Sequence, residues 1–192
     1  LNAVLLYSLL QKQEHDFHLR LRPVRIAMPV NLRRFFPSKT LRNFITMVYP
    51  SIDPRLGDYT FEEIVTQVHH YMRYYINSKF LRGDITTNAS TQRNPLIRIV
   101  PLFLKDFVVR QFYQRVQDKN SSAGLTNMGA IRVPDDMKPY LERFDIYMGI
   151  PYSQRTNCAI VSFEDTLTVN FASCIIEADV ERRFFQKLVE DG

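Results

Sequence analysis

The sequence predicts an α/β two-layer sandwich, a mixed β-sheet with helices packed mainly on one side. Three observations carry this. Two short β-branched runs, VRIAMPVNL and NFITMVYP, are set off by prolines. Two alternating runs, NCAIVSF and LTVNFASCI, flank the tight connection Glu164-Asp165-Thr166 as a hairpin. Three long segments with helical period are interspersed among these strands, which places the chain among mixed sheets covered by helices. At 192 residues and 45% hydrophobic content, the chain suffices for one packed domain spanning 1–192.

In order along the chain, Val4, Leu5, Leu6, Leu9 and Leu10 form an apolar pattern that suits a helix with Asn2 as its N-cap. The chain starts without methionine, so an upstream portion is expected to be missing. The charged stretch QKQEHDFHLRLR leads into a strand at 24–31, and the loop RRFFPSK into a second at 43–49. A helix over 60–80 opens on a capping box, Thr60 with Glu63, and presents Ile64, Val68, Tyr71 and Tyr75 on one face. RGDITTNASTQRNP reads as a surface loop, followed by a helix near 96–116 that Pro101 ends or kinks early. SAGLTNMGAI and RFDIYMGI read as strands, with a turn or short helix at PDDMKPYLE between them. The hairpin covers 157–174, and a helix at 178–189 closes the chain. Alternation places Ala159, Val161 and Phe163 on one face of the hairpin, and Cys158, Ile160 and Ser162 on the other.

Composition narrows the function classes. No run approaches the ~18 apolar residues of a membrane span and no signal peptide is evident, so a cytoplasmic protein without membrane contact is the expectation. Cys158 and Cys174 lack ligand spacing and read as reduced thiols. The formal charge of +5 is spread over helices, strands and loops without an interleaved aromatic platform, which argues against nucleic acid. Its densest cluster, Arg33, Arg34, Lys39 and Arg42, has two readings: a contact for a phosphate-bearing cofactor, or solvated loop charges. Signatures of the common hydrolases, nucleotidases and dinucleotide-binding proteins are absent. His15, His18 and Asp16 lack the further ligands of a metal site. The polar residues Asn31, Arg33, Asn43 and Thr126-Asn127 stand at strand ends, where capping a turn is their simplest role.

The stretch VRIAMPVNLRRFFPSKTLRNF resembles a segment of condensation-domain and alcohol-acetyltransferase-like proteins, members of the chloramphenicol-acetyltransferase-like superfamily. In these a strand ends in a V-N-x-R phrase and a GN-like phrase follows. Here the phrases are Val30-Asn31-Leu32-Arg33 and Arg42-Asn43. LTNMGAI resembles the family's S-N-x-G strand, DIYMGIP precedes the hairpin and final helix, and LNAVLLYSLL is similar to the helix that opens the family's C-terminal lobe. The order of the phrases spans essentially the whole chain. Arg42 stands in place of the family's glycine, and Thr126 in place of its serine.

The resemblance implies half of a two-lobed acyltransferase. In that family the lobes meet around a tunnel, and a histidine of the N-terminal lobe, in an HHxxxDG motif, deprotonates an alcohol or amine as it attacks an acyl thioester. The chain carries no such motif: after His69-His70 come Tyr-Met-Arg-Tyr-Tyr, inside a predicted helix. No catalytic residue is therefore expected in this chain, whose partner would be the N-terminal lobe of the same protein. Arg33 matches the arginine that pairs with the motif aspartate of the other lobe. Asn31, Asn43, Thr126 and Asn127 match positions near the tunnel, and the donor implied is acyl-coenzyme A or a carrier-bound thioester. The alternative is a non-catalytic binding or assembly module that retains the scaffold. In either case an isolated lobe would leave its partner-facing side open to self-association.

Overall fold

The computed structural model describes residues 1–16, 21–93, 101, 102, 104, 106, 110, 121–150 and 154–191. Their elements are α1 (Asn2–His15), β1 (Val24–Asn31), β2 (Ile45–Val48), β3 (Ser51–Ile52), α2 (Phe61–Tyr75), α3 (Ser78–Arg93), β4 (Ala123–Ala130), β5 (Thr156–Phe163), β6 (Thr166–Ser173) and α4 (Asp179–Asp191). The six strands form one mixed sheet in the order β2-β1-β4-β5-β6, with β3 also on β1. β1, β4 and β5 run parallel, and the remaining pairings are antiparallel. The α/β class and mixed sheet thus agree with the expectation.

β2 and β3 are one strand interrupted at Tyr49-Pro50, because Pro50 has no N–H to give to a ladder. Its carbonyl still accepts Ile26 N at 3.0 Å, so the interrupted strand stays beside β1.

Helices α1, α2 and α4 share one face of the sheet. Leu5, Leu6, Ile26, Ile64, Cys158, Ile160 and Phe184, each fully buried, belong to a single apolar cluster. The hairpin therefore turns its Cys158 and Ile160 side to the helices. The opposite side, with Ala159, Val161 and Phe163, is buried too. Part of its cover is the segment 141–150: Phe144 meets Phe163 edge-on at 5.1 Å, and Asn170 Nδ2 donates to Ile146 O at 3.2 Å. Asn157 Nδ2 donates to Gly149 O at 3.0 Å.

The strand expected at RFDIYMGI does not form. Residues 143–150 make no ladder and are held against the face of the sheet by the side chains of Asn157 and Asn170.

Three helix boundaries also depart from expectation. Leu1, not Asn2, is the N-cap of α1, and Asn2 Nδ2 donates to Met28 Sδ at 3.1 Å instead; the helix also runs on to His15, through part of the stretch read as a connection. The helix expected over 60–80 breaks at Ile76-Asn77, where Asn77 Oδ1 accepts from Lys79 N (3.0 Å) and Phe80 N (2.9 Å) and so starts α3. RGDITTNASTQR, read as a loop, is helical up to Arg93. Its hydroxyls bond back along the helix, Thr86 to Arg82 O at 2.8 Å and Thr87 to Gly83 O at 3.0 Å, rather than closing turns. The helix expected at 96–116 lies outside the described residues, apart from isolated positions.

The capping box forms as read. Thr60 N donates to Glu63 Oε2 at 2.8 Å, and Glu63 N to Thr60 Oγ1 at 3.3 Å.

Candidate functional site

The V-N-x-R phrase ends β1. Asn31 is the last strand residue, and its Oδ1 accepts from Arg33 N at 3.0 Å, which caps the 3-10 turn Leu32–Arg34. The chain then loops out and returns where Leu32 N donates to Phe44 O at 3.0 Å, so residues 32 and 44 close the base of the loop. Arg33 Nη2 reaches across this loop to two carbonyls, Thr40 O at 2.9 Å and Arg42 O at 2.6 Å. Asn43 is exposed and sits between these two attachments, directly after Arg42. The first two phrases of the family-like segment thus form one braced loop.

Among the described residues no carboxylate pairs with Arg33, and its Nη1 and Nε have no acceptor. Its charge is exposed while one edge of the guanidinium is fixed by carbonyls, a pre-set donor fork for a carboxylate or phosphate.

β4 carries the T-N-x-G phrase. Ile26 of β1 faces Ala123 of β4, and the two strands are parallel, so Asn31 and Asn127 lie toward the same end of the sheet. Past Asn127 the β4–β5 register slips: Asn127 pairs with Ile160, but the next pair is Ala130 with Ser162. Gly129 at φ 75° makes this bulge possible, and Asn127 Oδ1 accepts Gly129 N at 2.8 Å within it. Asn31 and Asn127 both use Oδ1 locally, leaving their Nδ2 groups without an acceptor among the described residues.

Alternation separates the three strand residues. Asn31 and Thr126 lie on the face turned away from the helices, as the partners of Ile45 and Ala159, whereas Asn127 pairs with the core residue Ile160 and so lies on the helix side. The face turned away from α1, α2 and α4 is closed over β5 and β6 by described residues, whereas at β2 Ile45 and Met47 are 48% and 39% exposed.

The polar groups of these phrases are donors. Amides, a guanidinium and a hydroxyl can hold or polarise a carbonyl or phosphate oxygen, but none can take a proton from an alcohol at neutral pH. His69 and His70 are exposed within α2, their rings 5.9 Å apart, and not on a loop. His70 borders a depression of about 690 Å³ that is lined by α2 residues alone, Tyr71 and Tyr75 included, so it opens along one helix rather than enclosing a substrate. No group of three or more His, Cys, Asp or Glu side chains among the described residues could hold a metal ion. Burial pushes the Cys158 thiol up to about 12, which makes it inert, and Cys174 is exposed. No helix among the described residues is long and apolar enough to cross a membrane.

Sequence reasoning missed Asn157. It is 1% exposed. Its Oδ1 accepts Gly124 N at 2.9 Å and its Nδ2 donates to Gly149 O at 3.0 Å, so it ties β4, β5 and the covering segment together below the T-N-x-G phrase. The available signal was an asparagine opening an otherwise apolar strand.

The chain matches no protein-family model and no curated protein sequence.

Proposed function

We propose that this chain is the tunnel-forming C-terminal lobe of an acyltransferase that moves an acyl group from a thioester to an alcohol or amine, with the catalytic base on an N-terminal lobe. The observation that carries this reading is the braced loop. The family-like V-N-x-R and R-N phrases are joined through Arg33 Nη2, which bonds Arg42 O nine residues on and leaves the rest of the guanidinium facing outward. In the resembling family that outward edge is where the aspartate of the catalytic motif docks. Removing one partner of a buried ion pair strands the other and costs about 3–5 kcal/mol, so Arg33 would hold the catalytic loop without touching substrate.

Two further features support the reading. The face turned away from α1, α2 and α4 exposes apolar Ile45 and Met47 next to Asn31, as a lobe that packs against another requires. Donor groups at the ends of β1 and β4 are placed to orient an acyl donor or polarise its carbonyl. Asn31, Asn43, Thr126 and Asn127 have this role in the proposal, with acyl-coenzyme A or a carrier-bound thioester as donor.

The test is to read the coding sequence upstream of Leu1, co-express that segment with this chain, and follow thiol release from acetyl-coenzyme A with simple alcohols. Turnover by the pair, none by the chain alone, and loss of turnover in Arg33→Ala are expected. An upstream segment without HHxxxDG would favour a binding or assembly module on the same scaffold. Turnover by the chain alone that His69→Ala or His70→Ala abolishes would overturn the division of labour.

A further inference from the structure

Basic residues are spread along the chain, but their excess over acidic ones is local. Residues 17–52 contain seven Lys and Arg and no Asp or Glu, leaving eighteen basic against twenty acidic residues in the rest of the chain. The net charge therefore originates in this one stretch, whose exposed centre is the braced loop between Leu32 and Phe44.

Arg34, Lys39 and Arg42 are all exposed there, and none pairs with a carboxylate among the described residues. The first acidic residue beyond the stretch, Asp53, is held by Arg55 at 2.8 and 2.5 Å. Asp84 takes the hydroxyl of Thr46.

The loop backbone adds donors. Thr40 N and Arg42 N turn inward to Ser38 Oγ (3.3 Å) and Thr40 Oγ1 (3.2 Å), while the alternate amides of Lys39, Leu41 and Asn43 have no acceptor among the described residues. Cations on a loop pinned at its base and braced by Arg33, with alternate unclaimed N–H groups among them, suit an anion with several oxygens.

We propose that the loop 32–44 binds the phosphate groups of the acyl donor, through Arg34, Lys39, Arg42 and the amides between them. This rests on the acyltransferase reading for the identity of the ligand but not for its chemistry. Phosphate esters and pyrophosphate occur at the nucleotide end of free coenzyme A, and a phosphodiester joins a pantetheine arm to its carrier protein. Either source presents the same oxygens to the loop.

Calorimetric titration of the chain with inorganic pyrophosphate, adenosine 3′,5′-bisphosphate and 4′-phosphopantetheine tests it, at 20 and 200 mM salt. Binding weakened at least tenfold in Arg34→Ala/Lys39→Ala/Arg42→Ala and unchanged in Lys79→Ala/Arg132→Ala/Arg182→Ala is expected, with both variants melting as wild type because all six side chains are exposed. Binding should also weaken at the higher salt, where screening shortens to about 7 Å. Tighter binding of the bisphosphate supports free coenzyme A as the source, and tighter binding of phosphopantetheine supports a carrier. No binding at millimolar probe, equal binding by the loop variant, or preference for a single-stranded oligonucleotide over every small anion would overturn the proposal. Phosphate binding that survives a failed acyl-transfer assay would remove the acyltransferase reading and leave the site standing.

Discussion

Asn157→Ala should destabilise the protein by about 2–5 kcal/mol. The side chain is 1% exposed and serves two backbone groups, accepting Gly124 N at 2.9 Å and donating to Gly149 O at 3.0 Å. Each buried group left without a partner costs about 1–3 kcal/mol. For a domain of this size that is a drop of roughly 4–20 °C in Tm, read by thermal and urea unfolding. Gly124 sharpens the test, because a Cβ built on it would stand 2.5 Å from Asn157 Oδ1, closer than real Cβ atoms come. Gly124→Ala should therefore expel Asn157 and cost a similar amount in wild type. Added to Asn157→Ala it should cost much less, since the next contact, Gln154 Oε1 at 3.0 Å, is the end of a flexible side chain. Strict additivity of the two substitutions, or a loss below about 1 kcal/mol for Asn157→Ala, would refute the account of this bracket.

Three further outcomes are expected. Thr60→Ala removes the hydroxyl half of the capping box and should cost about 0.5–2 kcal/mol by urea unfolding, with Thr60→Ser restoring most of it. Arg33→Met loses two exposed bonds to carbonyls and should change global stability by less than about 2 kcal/mol, yet tryptic cleavage after Lys39 and Arg42 should accelerate as the loop loses its brace. Cys158 has its thiol raised to about 12 by burial, so the unfolded chain loses this proton first as pH rises. Stability should then fall between about pH 9 and 12, by at most ~1.4 kcal/mol per pH unit, and Cys158→Ala should flatten that part of the profile. A thiol reagent should meanwhile count one reactive cysteine in the native protein and two after unfolding.

What was legible in the sequence was what depends on local pattern. β1 stands between Pro23 and the turn after Asn31, and α2 announces itself through Thr60 and Glu63. The hairpin follows from alternation alone, with Glu164 taking φ 48° in its turn. α3 was not legible, because threonine and serine hydroxyls close turns and bond back along helices with equal ease, and only Asn77 as its cap decides between them. The segment 143–150 was misread for a related reason: an extended apolar stretch has the same composition whether it joins a ladder or lies across one. For the candidate site, Asn31, Arg33 and Asn43 could be read as one phrase, but the brace from Arg33 to two carbonyls could not. Nor could the side on which Asn127 lies, since that follows from register with Ile160. Asn157 escaped because a polar residue in an apolar run marks a break as readily as a buried tie.

The parallel pairing of β1 with β4 sets when, during folding, the site comes into being. Arg25 and Ser122, bonded across these strands, are 97 positions apart, whereas the β5–β6 hairpin closes over two residues. Bringing together the ends of a flexible loop that long costs about 4 kcal/mol of chain entropy before any contact offsets it. Local assemblies, the strands up to β3 with α1 and the hairpin with α4, have no such barrier to cross. The ends of β1 and β4, with Asn31 and Asn127, therefore come to the same end of the sheet in a late step, after each half has its own structure. A lesion that slows this closure would yield a chain with near-native helices and hairpin whose β1 and β4 have not yet met.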